Sequence, residues 1–113
     1  MPPVSTTRAL RLLGLAARAR ALVIGVPLIC TALSKNAKGK TPLLVLSASD
    51  CSPNTKKRII DRTAFYGVGN VELPLTCAQL AHAIGKKEAL VAAVGVTDQN
   101  LAAAISAALT ESN

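Results

Sequence analysis

Aromatic side chains are nearly missing from this chain. Among 113 residues there is no tryptophan, one tyrosine and one phenylalanine, and the latter two, Phe65 and Tyr66, are adjacent. Modules that hold single strands by stacking bases need several exposed rings, which disfavours the RRM and OB-fold classes. Histidine and cysteine are also sparse, with His82 alone and Cys30, Cys51 and Cys77 as an odd set of three. A zinc site wants four well-spaced ligands, and a disulfide framework wants an even count. With no Cys-x-x-Cys pair, the three are expected to be reduced thiols of a cytoplasmic protein, with no metal site. No uncharged apolar run approaches the ~18 residues of a membrane span, and no basic-then-apolar segment opens the sequence. Neither secretion nor a membrane is expected. Acidic residues are few, six against thirteen Lys+Arg, for a net charge of +7. That imbalance favours an anionic partner, nucleic acid before a merely soluble basic surface.

Half of the residues are hydrophobic, enough for one compact domain over residues 1–113, with residues 1–7 expected as a flexible leader. Ser5-Thr6-Thr7 can cap an amphipathic helix from Arg8 to about Arg20, with Leu10, Leu13 and Ala17 inward and Arg8, Arg11 and Arg18 outward. Leu22 to Ile24 is a candidate for a short extra strand. Gly25 and Pro27 turn the chain into a second, mostly apolar helix ending near Lys35, and a basic loop, Asn36 to Lys40, follows. Leu43 to Leu46 is too brief for a helix and lacks polar alternation, so it reads as a strand buried on both faces. Ser52-Pro53 starts the next helix, whose apolar positions are Ile59, Ile60, Ala64 and Phe65. A turn at Gly67 to Asn70, a short strand at Val71 to Leu73, and a helix capped by Thr76 or Cys77 and stopped at Gly85 come next. Ala89 to Val96 reads as a second buried strand, and Thr97-Asp98 opens the last helix. Strands alternating with helices imply an α/β fold, a three-layer α/β/α sandwich with a largely parallel sheet.

Convergent polar groups that would do chemistry are few. Cys51 beside Asp50 at a helix start has the setting of a lowered-pKa thiol, but the sole imidazole, His82, lies in a different helix. Gly67-Val68-Gly69 follows a helix instead of a strand and lacks the third glycine of a dinucleotide fingerprint. The helix start at Ser52-Pro53 has free N–H groups able to hold an anion, and a plain cap is the simpler reading. No enzyme and no cofactor are expected.

Four segments, in this order and spacing, resemble the L7Ae/L30e/Gadd45 ribosomal-protein family, and most closely its small bacterial YlxQ-like branch. They are LLGLAARARALVIG (Leu12 to Gly25), LVLSASDCSPNTKKRIID (Leu44 to Asp61), FYGV (Phe65 to Val68) and QLAHAIGK (Gln79 to Lys86). The resemblance implies an L30e-like α/β/α sandwich around a mixed four- or five-stranded sheet, so one strand should run antiparallel. It also implies a non-catalytic protein that binds structured RNA, typically kink-turns or related bent internal loops in ribosomal and other structured RNAs; a monomer is expected. Two surfaces carry that binding in the family. One is a helix start patterned close to G-x-N-E-x-x-K; here it falls on Gly25, Val26, Pro27, Leu28 and Thr31, with Pro27, Leu28 and Thr31 in place of the Asn, Glu and Lys. Lys35 and Lys38 are the basic residues that follow. The other is the loop before the last long strand, which maps to Lys86, Lys87, Glu88, Ala89, Leu90 and Val91. Loss of the base-reading side chains leaves phosphate contacts by Lys35, Lys38, Lys40, Lys86 and Lys87 as the main source of affinity. The rival reading on the same fold is a Gadd45-like protein-interaction module, with Pro27, Leu28 and Ile29 as an exposed apolar patch.

Overall fold

The computed structural model describes residues 4–35, 41–86 and 89–110. Helices and strands alternate as α1 (Val4–Arg18), β1 (Leu22–Ile24), α2 (Val26–Lys35), β2 (Leu44–Ser47), α3 (Pro53–Tyr66), β3 (Gly69–Glu72), α4 (Cys77–Ala83), β4 (Ala93–Val96) and α5 (Gln99–Thr110). Every residue of β2 and of β4 is buried. Side chains alternate across a strand, so these two strands feed two separate cores. Leu44, Leu46, Val94 and Val96 pack with Leu13, Leu80 and Ile105 of α1, α4 and α5. Val45 and Ala93 pack on the other face with Ile29, Leu33 and Ile59 of α2 and α3. The result is the three-layer α/β/α sandwich. None of the helices among the described residues is long and apolar enough to cross a membrane.

The sheet has four strands in the order β1-β4-β2-β3. β2 and β3 are parallel, while β4 runs antiparallel to both of its neighbours. The mixed sheet with one reversed strand is therefore present, and the largely parallel sheet expected from alternation alone is not. The reversal has a local cause. After α4 the chain runs back along that helix, and the Val91 N–H bonds the Cys77 carbonyl at the helix start (3.2 Å). The chain thus enters the sheet from the end that the other strands leave. Ala89 to Ala92 belongs to this return, which shortens the expected Ala89–Val96 strand to Ala93–Val96.

Helix ends follow the expected signals closely. Ser52 Oγ accepts from the Thr55 N–H with Pro53 in the first turn, and Gly67 closes α3 in the left-handed region at φ 68°. Thr76 and Gln79 form a reciprocal capping box on α4, and Asp98 Oδ1 accepts from the Leu101 N–H at the start of α5 (2.9 Å). Several expectations are corrected. Val4 to Thr7 lie inside α1 instead of in a leader; residues 1–3 lie outside the described residues. α1 stops at Arg18, because Arg20 takes a left-handed φ of 58° that no helix continues. β3 begins at Gly69, inside the expected turn. On α3 the buried line is Ile59 and Thr63, whereas Ile60 and Phe65 face solvent. The apolar spacing there was misleading because Thr63 is buried with its hydroxyl donating to the Ile59 carbonyl (2.8 Å), a residue that polarity assigns to the outside.

Gly95 shows how tightly the central strands are enclosed. A Cβ added there would lie 2.8 Å from Pro42 Cβ and 2.9 Å from Pro42 Cγ, atoms of a rigid ring. Gly95→Ala is expected to lower stability by about 1–3 kcal/mol, the usual cost of overpacking. Thermal or urea unfolding measures this, and an unchanged midpoint would show that Pro42 can move aside.

Candidate nucleic-acid interface

β1 is an edge strand, hydrogen-bonded on one side only to β4, and its three residues are half-buried. Gly25, at φ +94°, lets the chain turn straight from β1 into α2, and its N–H extends the ladder to the Ala93 carbonyl (3.0 Å). α2 then packs Val26, Ile29 and Leu33 into the sheet. Its flank at Leu28, Thr31, Ala32 and Lys35 follows helical spacing and faces Leu22, Val23 and Ile24 across an open groove of about 730 Å³. Arg20, Lys86 and Thr97 complete its walls. The floor is apolar, the charged groups at its edge are Arg20, Lys35 and Lys86, and no carboxylate lines it. None of the three cations makes an ion pair among the described residues, where Lys56–Glu72 (3.2 Å) is the pair present.

The expected site residues divide into four groups. Leu28, Thr31, Lys35 and Lys86 are brought together in the groove. Gly25 and Pro27 sit at the α2 start, while Val26 is buried and presents nothing outward. Thr31 Oγ donates to the Pro27 carbonyl (3.0 Å), so its hydroxyl is engaged within the helix. Ala89, Leu90 and Val91 lie at the end of the sheet where α2 begins, since Val91 leads directly into the β4 residues paired with Ile24 and bonded to Gly25. Of these, Leu90 is exposed and Val91 is buried. Lys38, Lys40, Lys87 and Glu88 lie outside the described residues.

RNA-binding protein YlxQ of Bacillus subtilis (strain 168) is 41% identical to this chain over 91 residues, spanning 80% of this chain and 84% of that protein. This chain belongs to the YlxQ-like family of L7Ae/L30e-type proteins. RNA-binding protein YlxQ of Enterococcus faecium is 35% identical over 95 residues, covering 84% of each chain. Among solved structures, a Bacillus halodurans protein described as of unknown function superposes with a TM-score of 0.81 at 31% identity, over 92% of this chain and 98% of that one. A Giardia lamblia 15.5kD RNA binding protein has the same fold, with a TM-score of 0.75 at 14% identity over 96% and 87% of the two chains. No protein-family model matches the chain.

Arg20 is the residue lining this groove that sequence reasoning missed. Sequence reasoning placed it at the end of the first helix and assigned it no role. Its place immediately after a helix and before a strand was the available signal, because a residue at such a corner points where neither element covers it. The positive φ of this non-glycine residue costs free energy that an ordinary linker avoids.

The cysteine cluster has a structural character. Cys51 Sγ donates to the Ala92 carbonyl (3.3 Å), and the Cys77 N–H donates to Asp50 Oδ1 (2.7 Å). Burial first, then the Asp50 carboxylate and the Cys51 thiol, push the Cys77 thiol up to about 12, the reverse of what nucleophilic activation requires. Among the described residues, no three His, Cys, Asp or Glu side chains gather as metal ligands.

Hydrogen bonds from the Cys77 thiol and amide hold the Asp50 carboxyl below its ordinary value. A carboxylate depressed in the folded state contributes stability at neutral pH that is lost as pH falls through the folded pKa. The Cys77 amide resonance should therefore titrate with a midpoint below about 4, where free aspartate titrates, and Asp50→Asn should abolish that transition while keeping an acceptor. A midpoint at or above the ordinary value would contradict the bridge.

Proposed function

We propose that this protein binds structured RNA without catalysing a reaction, using the α2 flank and the groove beside it. The carrying observation is that Arg20, Lys35 and Lys86 stand around one apolar groove with no carboxylate among them. Three cations at one edge can each neutralise a phosphate, while the apolar floor of Leu22, Ile24 and Leu28 can receive the face of a base or sugar. The name "RNA-binding protein YlxQ" carried by two relatives supports the same reading. Kink-turns and similar bent loops in ribosomal RNA are the proposed targets, and the cytoplasm the proposed location. Base readout is weak in this proposal, because Pro27 lacks an N–H, Leu28 offers no hydrogen bond, and the Thr31 hydroxyl is engaged within α2.

One observation favours the protein-interaction reading: Leu28 is 61% exposed. Of the patch that reading names, Pro27 is exposed beside it, while Ile29 is 3% exposed and turned into the core. A single exposed leucine beside three cations is better explained as part of a phosphate-facing surface.

Affinity for a kink-turn RNA should fall steeply with salt. Changing Arg20, Lys35 and Lys86 together to Ala should make the log–log slope shallower by roughly 2–3, near one per phosphate contact. Titration by fluorescence anisotropy at several salt concentrations measures this, and a salt-independent affinity would refute the proposal.

Restoring the family pattern with Pro27→Asn, Leu28→Glu and Thr31→Lys should tighten kink-turn binding about ten-fold or more, by analogy with polar contacts to base edges. The gain should vanish on an RNA whose G·A pairs are replaced by Watson–Crick pairs. A flat response to both RNAs would remove this surface from consideration as an RNA site.

A further inference from the structure

The outer face of α3 is exposed among the described residues. Ile59 and Thr63 are buried, and with half-buried Tyr66 they hold the helix against the sheet. Arg58, Arg62 and Phe65 fall at i, i+4 and i+7 and so share one line along the helix. All three are exposed, Phe65 by 80%. Lys57 is exposed as well. Asp61, also exposed, pairs with neither arginine, and Arg58 and Arg62 have no ion-pair partner among the described residues. The Phe65 ring is restrained by Tyr66, which meets it edge-on at 4.9 Å and 79°. Phenylalanine exposed to this degree buries little apolar surface and gives the fold little in return.

We propose that Arg58, Arg62 and Phe65 form a second RNA-contacting surface that takes an unpaired nucleotide, its base stacked on Phe65 and its phosphates held by the two arginines. The chemistry selects this occupant over a protein helix. A helix-docking site needs a contiguous apolar stripe. Here the other large apolar residue exposed on α3, Ile60, lies five positions before Phe65, about 140° around the helix. A lone ring flanked by guanidinium groups matches what an extruded base and its backbone require. α2 packs over β1 and β4, whereas α3 packs against β3 at the other edge of the sheet. The groove and this surface can therefore hold different segments of one RNA. The inference rests on the RNA-binding reading and assigns to it a contact outside the α2 flank.

The test uses the full chain, with oligouridylate as a single-stranded probe and an RNA hairpin closed by a minimal loop as a paired one. Tyr66 is the only tyrosine and there is no tryptophan, so intrinsic tyrosine fluorescence reports the site directly. Oligouridylate should change that emission, and Phe65→Ala should weaken its binding by about ten-fold or more, with an unchanged melting temperature because the ring is exposed. Phe65→Trp should retain binding. Arg58→Gln with Arg62→Gln should flatten the salt dependence, while the Arg20, Lys35 and Lys86 to Ala variant should keep the oligouridylate response. Equal affinity of Phe65→Ala and wild type for oligouridylate overturns the proposal and leaves the groove reading standing. Loss of a protein partner by Phe65→Ala, with RNA affinity unchanged, also overturns it. If wild type binds neither RNA at low salt, the RNA reading and this inference fall together.

Discussion

Burial of β2 and β4 on both faces is the constraint from which the rest of the structure follows. Leu44 to Ser47 and Ala93 to Val96 form an adjacent antiparallel pair without a solvent-facing side chain. A strand pair of that kind is stable only when apolar surface covers each face, which requires α2 and α3 on one side and α1, α4 and α5 on the other. Even the approach of the chain before β2 is dictated by it, because Pro42 lies against the bare Cα of Gly95.

The strands that carry the surface features are the outer ones. β1 has a single hydrogen-bonded neighbour and only three residues, so α2 covers it incompletely and the groove is the uncovered remainder. β3, at the opposite edge, is mostly exposed, and Glu72 there pairs with Lys56 of α3. The two proposed RNA surfaces thus occupy the places where a narrow sheet leaves its helices uncrowded. Arg20, Lys35 and Lys86 at one edge, and Arg58 and Arg62 near the other, stay at the surface because a cation in either core would need a partner that the acidic-poor sequence does not supply.

The return of the chain along α4 links the fold to the candidate site. It reverses β4, and it brings Ala89, Leu90 and Val91 beside the start of α2. Cys51, Asp50 and Cys77 fasten this end through bonds to the Ala92 carbonyl and the Cys77 amide. Through these hydrogen bonds the three residues, thiols included, connect three turns.

The sequence by itself determined what depends on near neighbours. Ser52-Pro53, Thr76 with Gln79, Asp98 and Gly67 mark helix ends because caps act within four residues, and the short apolar run of β2 showed its burial because no polar residue interrupts it. The four family segments carried the mixed sheet, which alternation alone did not. Tertiary structure decided what depends on distant partners. The direction of β4 rests on a contact between Val91 and Cys77, and the burial of Thr63 and exposure of Phe65 on where α3 meets the sheet. Arg20 joins Lys35 and Lys86 only because three chain corners meet beside the same edge strand. Such meetings are set by packing across the domain, and no local pattern of residues encodes them.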